Sequence, residues 1–411
     1  ACLCLTLLFS LAILFSGCKS SEEEIWEDEG TNNGTNNGKV PGVGGAPPPN
    51  APGFSGPAGN KVSAIAMIRA AKSDEEPTLL LSLPKGTGLE LVNLAAKDTD
   101  IGTGLVLKSD NSPAEVTIDG GGRMIELTGD GKGSVITVGS GVTLTLQNIT
   151  FKGLDNNNAP LIKVDGGTLV LEDGAVITGN TNTESGGGGV YVCNSGTFSM
   201  KGGTISDNKS TKNEEYYGGG GVFVSIGTFS MSGGTIRGNE AMRDGGGGVF
   251  VISGTFSMSG GTISNNKVNG NFNGGGVFVD AYGATFTMSG GTISDNEAKD
   301  GGGVFVNKDG AFSMSDGTIS GNKAADSGGG VFVKDQGTFI KTPADDSLTS
   351  GVIYGNTAPL LANAAKGDSF GHAVRFEGGG NNLRSTTAGE NITLTTKTYG
   401  ESGGWDPKTQ S

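Results

Sequence analysis

The chain has 411 residues, with 42 acidic against 28 basic side chains and a formal net charge of −14. That balance excludes a nucleic-acid partner, which demands a basic face, and disfavours acidic glycans as electrostatic ligands. One histidine and four scattered cysteines cannot supply a zinc set, so neither a metal nor a cofactor is expected.

Residues 1–17 carry no charge. The run is short for a membrane span and suits the apolar core of a signal peptide. Ser16 and Gly17 directly before Cys18 look like a bacterial lipobox. The resemblance implies cleavage before Cys18, acylation of its thiol and amine, and attachment to a membrane by lipid, each buried CH₂ adding roughly 0.8 kcal/mol. Lys19 follows; an Asp there would imply retention at the inner membrane, so the implied location is the outer membrane or the cell surface.

Residues 18–59 read as a disordered tether: acids crowd between Glu22 and Glu29, Thr-Asn-Asn-Gly occurs twice, and Pro47-Pro48-Pro49 follows. As a flexible coil it spans roughly 35 Å. Residues 60–411 read as one folded unit with capped ends. Val62, Ile65, Ala66 and Ile68 fit one face of a short helix that would plug the open end of the core. Short apolar runs such as Val116–Ile118, Ile125–Leu127, Val142–Leu146 and Leu169–Leu171 then approach a regular rhythm.

From 186 to 337 the rhythm is explicit. Gly-Gly-Gly-Val-Phe-Val, Gly-Thr-Phe-Ser-Met and Gly-Gly-Thr-Ile-Ser recur, and the first valine falls at Val190, Val222, Val249, Val277, Val304 and Val331. A period near 27 marks a solenoid. Each phrase alternates with period two, as strands do: Phe229 and Met231 share one face, Thr228 and Ser230 the other. Three short strands per copy cannot bury an apolar face alone, so copies stack as a parallel β-helix, all-β, of about ten coils at about 4.8 Å each. Asn180, Asn208, Asn239, Asn266, Asn296, Asn322 and Asn356 close the third strands, where stacked amides can form a ladder.

Two resemblances follow. Ile177-Thr178-Gly179-Asn180 with Gly187-Gly188-Gly189-Val190-Tyr191 is similar to the repeats of bacterial polymorphic outer-membrane proteins, which are surface adhesins. The stretch from Val116 through Asp119-Gly120-Gly121-Gly122 to Arg123 resembles an early coil of pectin-lyase-type chains, which implies a right-handed helix. Together with the lipobox and the acids considered next, the adhesin resemblance gives the reading of a lipid-anchored surface protein that binds a host or cell-surface protein or glycan without catalysis. The alternatives are a surface polysaccharide lyase or hydrolase, and a structural envelope protein.

The acids favour the non-catalytic reading. Asp207, Asp244, Asp295, Asp300 and Asp326 fall in turns along the rod instead of converging, and Asp119 beside Arg123 is the best isolated pair. The lone His372 replaces a repeat glycine in an altered copy, 371–376, where Arg375 takes the aromatic's place; Ile392–Thr395 and Trp405 read as a terminal cap. Cys193 stands where other copies carry Ser225, Ile252, Asp280, Asn307 and Lys334, so its side chain is expected outside, as an accessible thiol. If the valines face the core, Tyr191, Phe223, Phe250, Phe278, Phe305 and Phe332 stack in an outer column. Left bare, that column is the candidate binding stripe; roofed by the polar loops before each glycine run, it is a second small core.

The lipobox reading has a direct check. Cys18→Ala abolishes labelling by a metabolically supplied fatty acid and leaves the chain unprocessed or soluble on detergent partition.

Overall fold

The computed structural model describes residues 113–358, with gaps at 128–131, 213, 215–216, 244 and 342–350, and short segments between 79 and 108 and between 374 and 393. The signal peptide, Cys18, the tether, the expected helix near Val62–Ile68, His372 and Trp405 lie outside the described residues. Within them every regular element is a strand, and the strands pair in parallel except at one end.

One coil shows the plan. Val222–Val224 is followed by Gly227–Met231, Thr235–Arg237 and Glu240–Ala241, and a loop then returns the chain to Val249. Each strand pairs with its counterpart one repeat on: Phe223 with Phe250, Phe229 with Phe256, Ile236 with Ile263, Glu240 with Lys267. Three sheets result, of 11, 18 and 6 strands. The eleven-stranded sheet carries the Val-Phe-Val segments, and eight of its strands, from Ile136–Gly139 to Val331–Val333, mark successive turns. The broad sheet takes the Gly-Thr-Phe-Ser-Met and Thr-Ile-Ser segments, which fuse into single strands at Thr285–Ser294 and Ala311–Ser320. The six-stranded sheet is a fourth strand per coil that sequence periodicity does not reveal, because four of its strands have only two residues, too few to carry a measurable period.

Alternation places the core as the pattern requires. Phe198, Phe229, Phe256, Phe286, Phe312 and Phe339 are fully buried and stack 4.6–4.9 Å apart, with interplanar angles of 5–18°. Met231, Ile236, Val222, Val224 and their counterparts complete the cluster. Offset stacked rings at this separation add about 0.5–1.5 kcal/mol per pair beyond the area they bury.

The corner after each Thr-Ile-Ser strand is held by asparagine. Asn266 Nδ2 donates to Ile236 O at 3.0 Å and to Asn296 Oδ1 at 3.0 Å, and Asn266 Oδ1 accepts from both the backbone N and Nδ2 of Asn239. The same bonds run through Asn208, Asn239, Asn296, Asn322 and Asn356, all buried. Asn157, outside the recognised repeats, starts the ladder by donating to Asn180 Oδ1. Glycine is forced beside it: a Cβ on Gly247 would lie 2.6 Å from both Gly275 O and Lys267 O, inside contact distance.

On the six-stranded sheet, Lys209, Glu240, Lys267, Glu297 and Lys323 follow one another in register, so every charge has opposite neighbours. Lys209–Glu240 pair at 3.2 Å; Lys267 and Lys323 each lie 3.9 Å from Glu297. Half-exposed pairs of this kind are worth under about 1 kcal/mol each, but like charges in that register would repel along the whole sheet.

At the far end Val374–Phe376 extends the stack as the altered copy, with Arg375 opposite Phe332. Ile392–Thr393 pairs antiparallel with Leu383–Arg384, unlike the parallel pairs of the other described strands.

Asn266→Ala leaves buried donors and acceptors unpaired on both neighbouring coils. We expect a loss of roughly 2–5 kcal/mol in urea unfolding, with faster amide exchange at residues 239 and 266, whereas Lys267→Ala costs under about 1 kcal/mol.

Candidate binding surface

The outer aromatic column exists, and it is buried. Tyr191, Phe223, Phe250, Phe278, Phe305 and Phe332 are 0–7 % exposed, with centroids 4.8–5.2 Å apart. Four contacts are stacked, and Phe250 meets Phe278 edge to face at 87°. The expectation of a bare stripe is therefore corrected: the rings point away from the main core, as parity requires, but the glycine-rich loops roof them. A Cβ on Gly186 would lie 2.4 Å from the Phe223 ring, and one on Gly245 2.4 Å from Phe278. Only bare backbone fits over the rings. They form a second core with Cys193 and Ile252.

The residues after the Val-[Tyr/Phe]-Val segment share that roof in the first four of these coils, whereas Asn307 is half-buried and Lys334 exposed. Cys193 is 1 % exposed, so the expected accessible thiol is also corrected. Ser225, Ile252 and Asp280 are buried too. Burial raises the Asp280 carboxyl above its ordinary range, opposed by the Asn307 amide that donates to it and by the Lys334 charge. Burial likewise pushes the Tyr191 phenol far up. These groups serve packing.

Of the acids singled out from sequence, Asp119, Asp207 and Asp295 serve turns, Asp300 and Asp326 lie in strands, and Asp244 lies outside the described residues. Asp119 Oδ1 accepts from Gly121 N at 3.0 Å and from Asn148 Nδ2 at 3.3 Å, and Oδ2 accepts from Gln147 Nε2 at 2.8 Å, which together hold its carboxyl below the ordinary range. Asp207 and Asp295 occupy left-handed turn positions, both with φ of 57°. Asp300 is different. Half-burial raises it, Asp326 and Glu377 add negative potential, and Lys299 opposes them. Among the described residues no three His, Cys, Asp or Glu side chains are placed to hold a metal ion. No helix among them is long and apolar enough to cross a membrane.

With the aromatic column covered, the most regular surface open to solvent is the outward face of the broad sheet. Thr143, Thr168, Thr197, Thr228, Thr255 and Thr285 form one unbroken ladder. Two residues along, Ser199, Ser230, Ser257, Thr287 and Ser313 form a second, and Thr204, Thr235, Thr262, Thr292 and Thr318 a third beyond the bend. Thr255 Oγ1 accepts from Thr285 Oγ1 at 3.2 Å, so these two hydroxyls orient one another along the axis. In the five segments that build this face between Gly196 and Ser320, only Lys201, Arg237 and Asp316 are charged. An acidic chain keeps these segments almost neutral. Sequence parity already assigned Thr228 and Ser230 to the outward side; what it lacked was any reason to prefer that side over the aromatic one.

One comparison agrees with this architecture. The family model described as a right handed beta helix region matches residues 114–290. No curated protein and no solved structure matches the chain. With its parallel ladders, the fold is an all-β, right-handed parallel β-helix.

The two faces respond differently to substitution. Phe278→Ala and Phe305→Ala each cost roughly 3–5 kcal/mol as buried truncations, whereas Thr255→Val on the hydroxyl face stays within about 0.5 kcal/mol; thermal unfolding of the three variants checks both.

Proposed function

We propose that the chain is a lipid-anchored, non-catalytic protein of the bacterial outer membrane or cell surface, whose β-helix presents an extended face for adhesion to a protein or glycan. The observation that carries this reading is the repetition of the outward surface. Equivalent hydroxyls recur on coil after coil, and the charges on the six-stranded sheet are neutralised by their neighbours. A reaction centre needs groups that differ from their surroundings and converge within hydrogen-bond reach. A repeated face instead offers many equal, individually weak contacts that add along a rod, which is the logic of avidity. The Cys18 lipobox and the acidic tether support presentation away from the membrane surface.

A surface polysaccharide lyase or hydrolase of the pectin-lyase type is the second reading, and Asp300 is the observation that favours it. A half-buried carboxyl raised by burial beside Asp326 and Glu377 is the kind of group that general acid catalysis employs.

Cells that display the chain adhere to a host-cell layer, and cells carrying Cys18→Ala lose that adhesion while releasing the protein. Incubation with a panel of neutral and acidic glycans releases no shortened products. Product release that Asp300→Asn abolishes would transfer the function to the second reading.

A further inference from the structure

The outward row of the six-stranded sheet holds charges that one chain does not fully satisfy. Glu240, Lys267, Glu297 and Lys323 stand in register on consecutive coils, with side chains 27–64 % exposed. Lys267 and Lys323 each lie 3.9 Å from the same Glu297 carboxylate, so one anion serves two ammonium groups at the outer limit of an ion pair. Glu240 is held in place by Asn269 Nδ2, which donates to its Oε1. Beside the row, directly after the strand Glu240–Ala241, Met242 is 48 % exposed. Between residues 240 and 327 only position 244 lies outside the described residues, in the loop that runs into Gly245 on the roof of the aromatic column.

We infer that this row is a contact surface for a second copy of the same chain, docked antiparallel about a two-fold axis between the Lys267 and Glu297 coils. Spacing is the first argument. The coils rise by 4.6–4.9 Å, as the stacked core rings show, and a partner must offer opposite charges at that pitch. A polyanion or a polycation carries one sign, so half of the row repels it. A second copy carries the same pitch and the same alternation. Register is the second argument. An axis through a coil sets each charge against its own sign, whereas an axis between coils sets each against its opposite. With the axis after Lys267, that residue faces the partner's Glu297, and Glu240 faces the partner's Lys323; symmetry repeats both contacts. Each lysine then gains a carboxylate of its own. Apolar contact is the third argument. The same axis sets Met242 against the coil of the exposed Ala325 of the partner subunit, whereas an axis one coil earlier sets it against the partner's Asn269. Four coils make a small face, so the contact belongs to the weak, reversible class. The hydroxyl ladders lie across the asparagine corner, on a different sheet, so the pairing is independent of the adhesive reading.

The test is sedimentation velocity of the full chain at high micromolar concentration. Two variants accompany it: Glu240→Lys with Glu297→Lys, which makes all four positions cationic, and Lys267→Glu with Lys323→Glu, which makes them anionic. We expect the parent to dimerise with a Kd that rises about tenfold or more as salt is added. Each variant alone is monomeric, and an equimolar mixture of the two restores the dimer. Glu240→Cys with Lys323→Cys reports the register. These positions are three coils apart within one chain, too far to bond, but opposite one another across the axis. Mild oxidation therefore gives a covalent dimer that the parent does not form. A monomeric parent, association indifferent to salt, variants that dimerise like the parent, or a monomeric mixture of variants with parental thermal midpoints each overturn the proposal. Association without the covalent dimer overturns the axis.

Discussion

The constraint on which the rest of the molecule depends is the buried corner that ends each Thr-Ile-Ser strand. A chain that turns inward there presents backbone carbonyls that no strand ladder can satisfy, and leaving them unpaired inside costs about 1–3 kcal/mol each. One asparagine per coil resolves this: its amide donates to the carbonyl of the isoleucine one coil back and to the next asparagine, while its oxygen takes two donors from the coil before. Each bond crosses between coils, so no coil closes its corner alone. Stacking is then obligatory, and the register is set by the ladder itself.

Fixed register explains the identical-residue columns. Once Asn239, Asn266 and Asn296 are aligned, Phe229, Phe256 and Phe286 must be aligned too, and their rings stack at 4.6 Å. The same alignment would be harmful for charges, and the six-stranded sheet answers with alternation: Lys209, Glu240, Lys267, Glu297, Lys323. Hydroxyls tolerate alignment without that device, because each can donate to the next and accept from the one before, as Thr285 and Thr255 do. A long hydroxyl face is thus compatible with the solenoid at no structural cost, which leaves it open to a binding role.

Glycine has a sharper meaning here than flexibility. At Gly247 the space for a side chain is taken by carbonyls of two neighbouring segments, and at Gly245 it is taken by the Phe278 ring below. The glycine runs are close-approach surfaces. They let backbone seal an aromatic column that would otherwise form an apolar stripe along the rod.

The period near 27 and the alternation within each phrase were enough to establish a parallel β-helix, its core column of Phe and Met, and the outward parity of Thr228 and Ser230, because all follow from strand geometry and stacking. The asparagine ladder was legible for the same reason: seven residues at one place in the repeat. The tertiary structure decided what parity cannot. Whether a side chain that points away from the core meets water depends on the path of the loops, and the loops fold back over Phe223, Phe250 and Phe278 while leaving Thr228 and Thr255 bare. The fourth strand of each coil, in most coils too short for any period, appeared only once its neighbours fixed it in place. The row of alternating charge became visible with it, because only the register of that strand sets Glu240 beside Lys267.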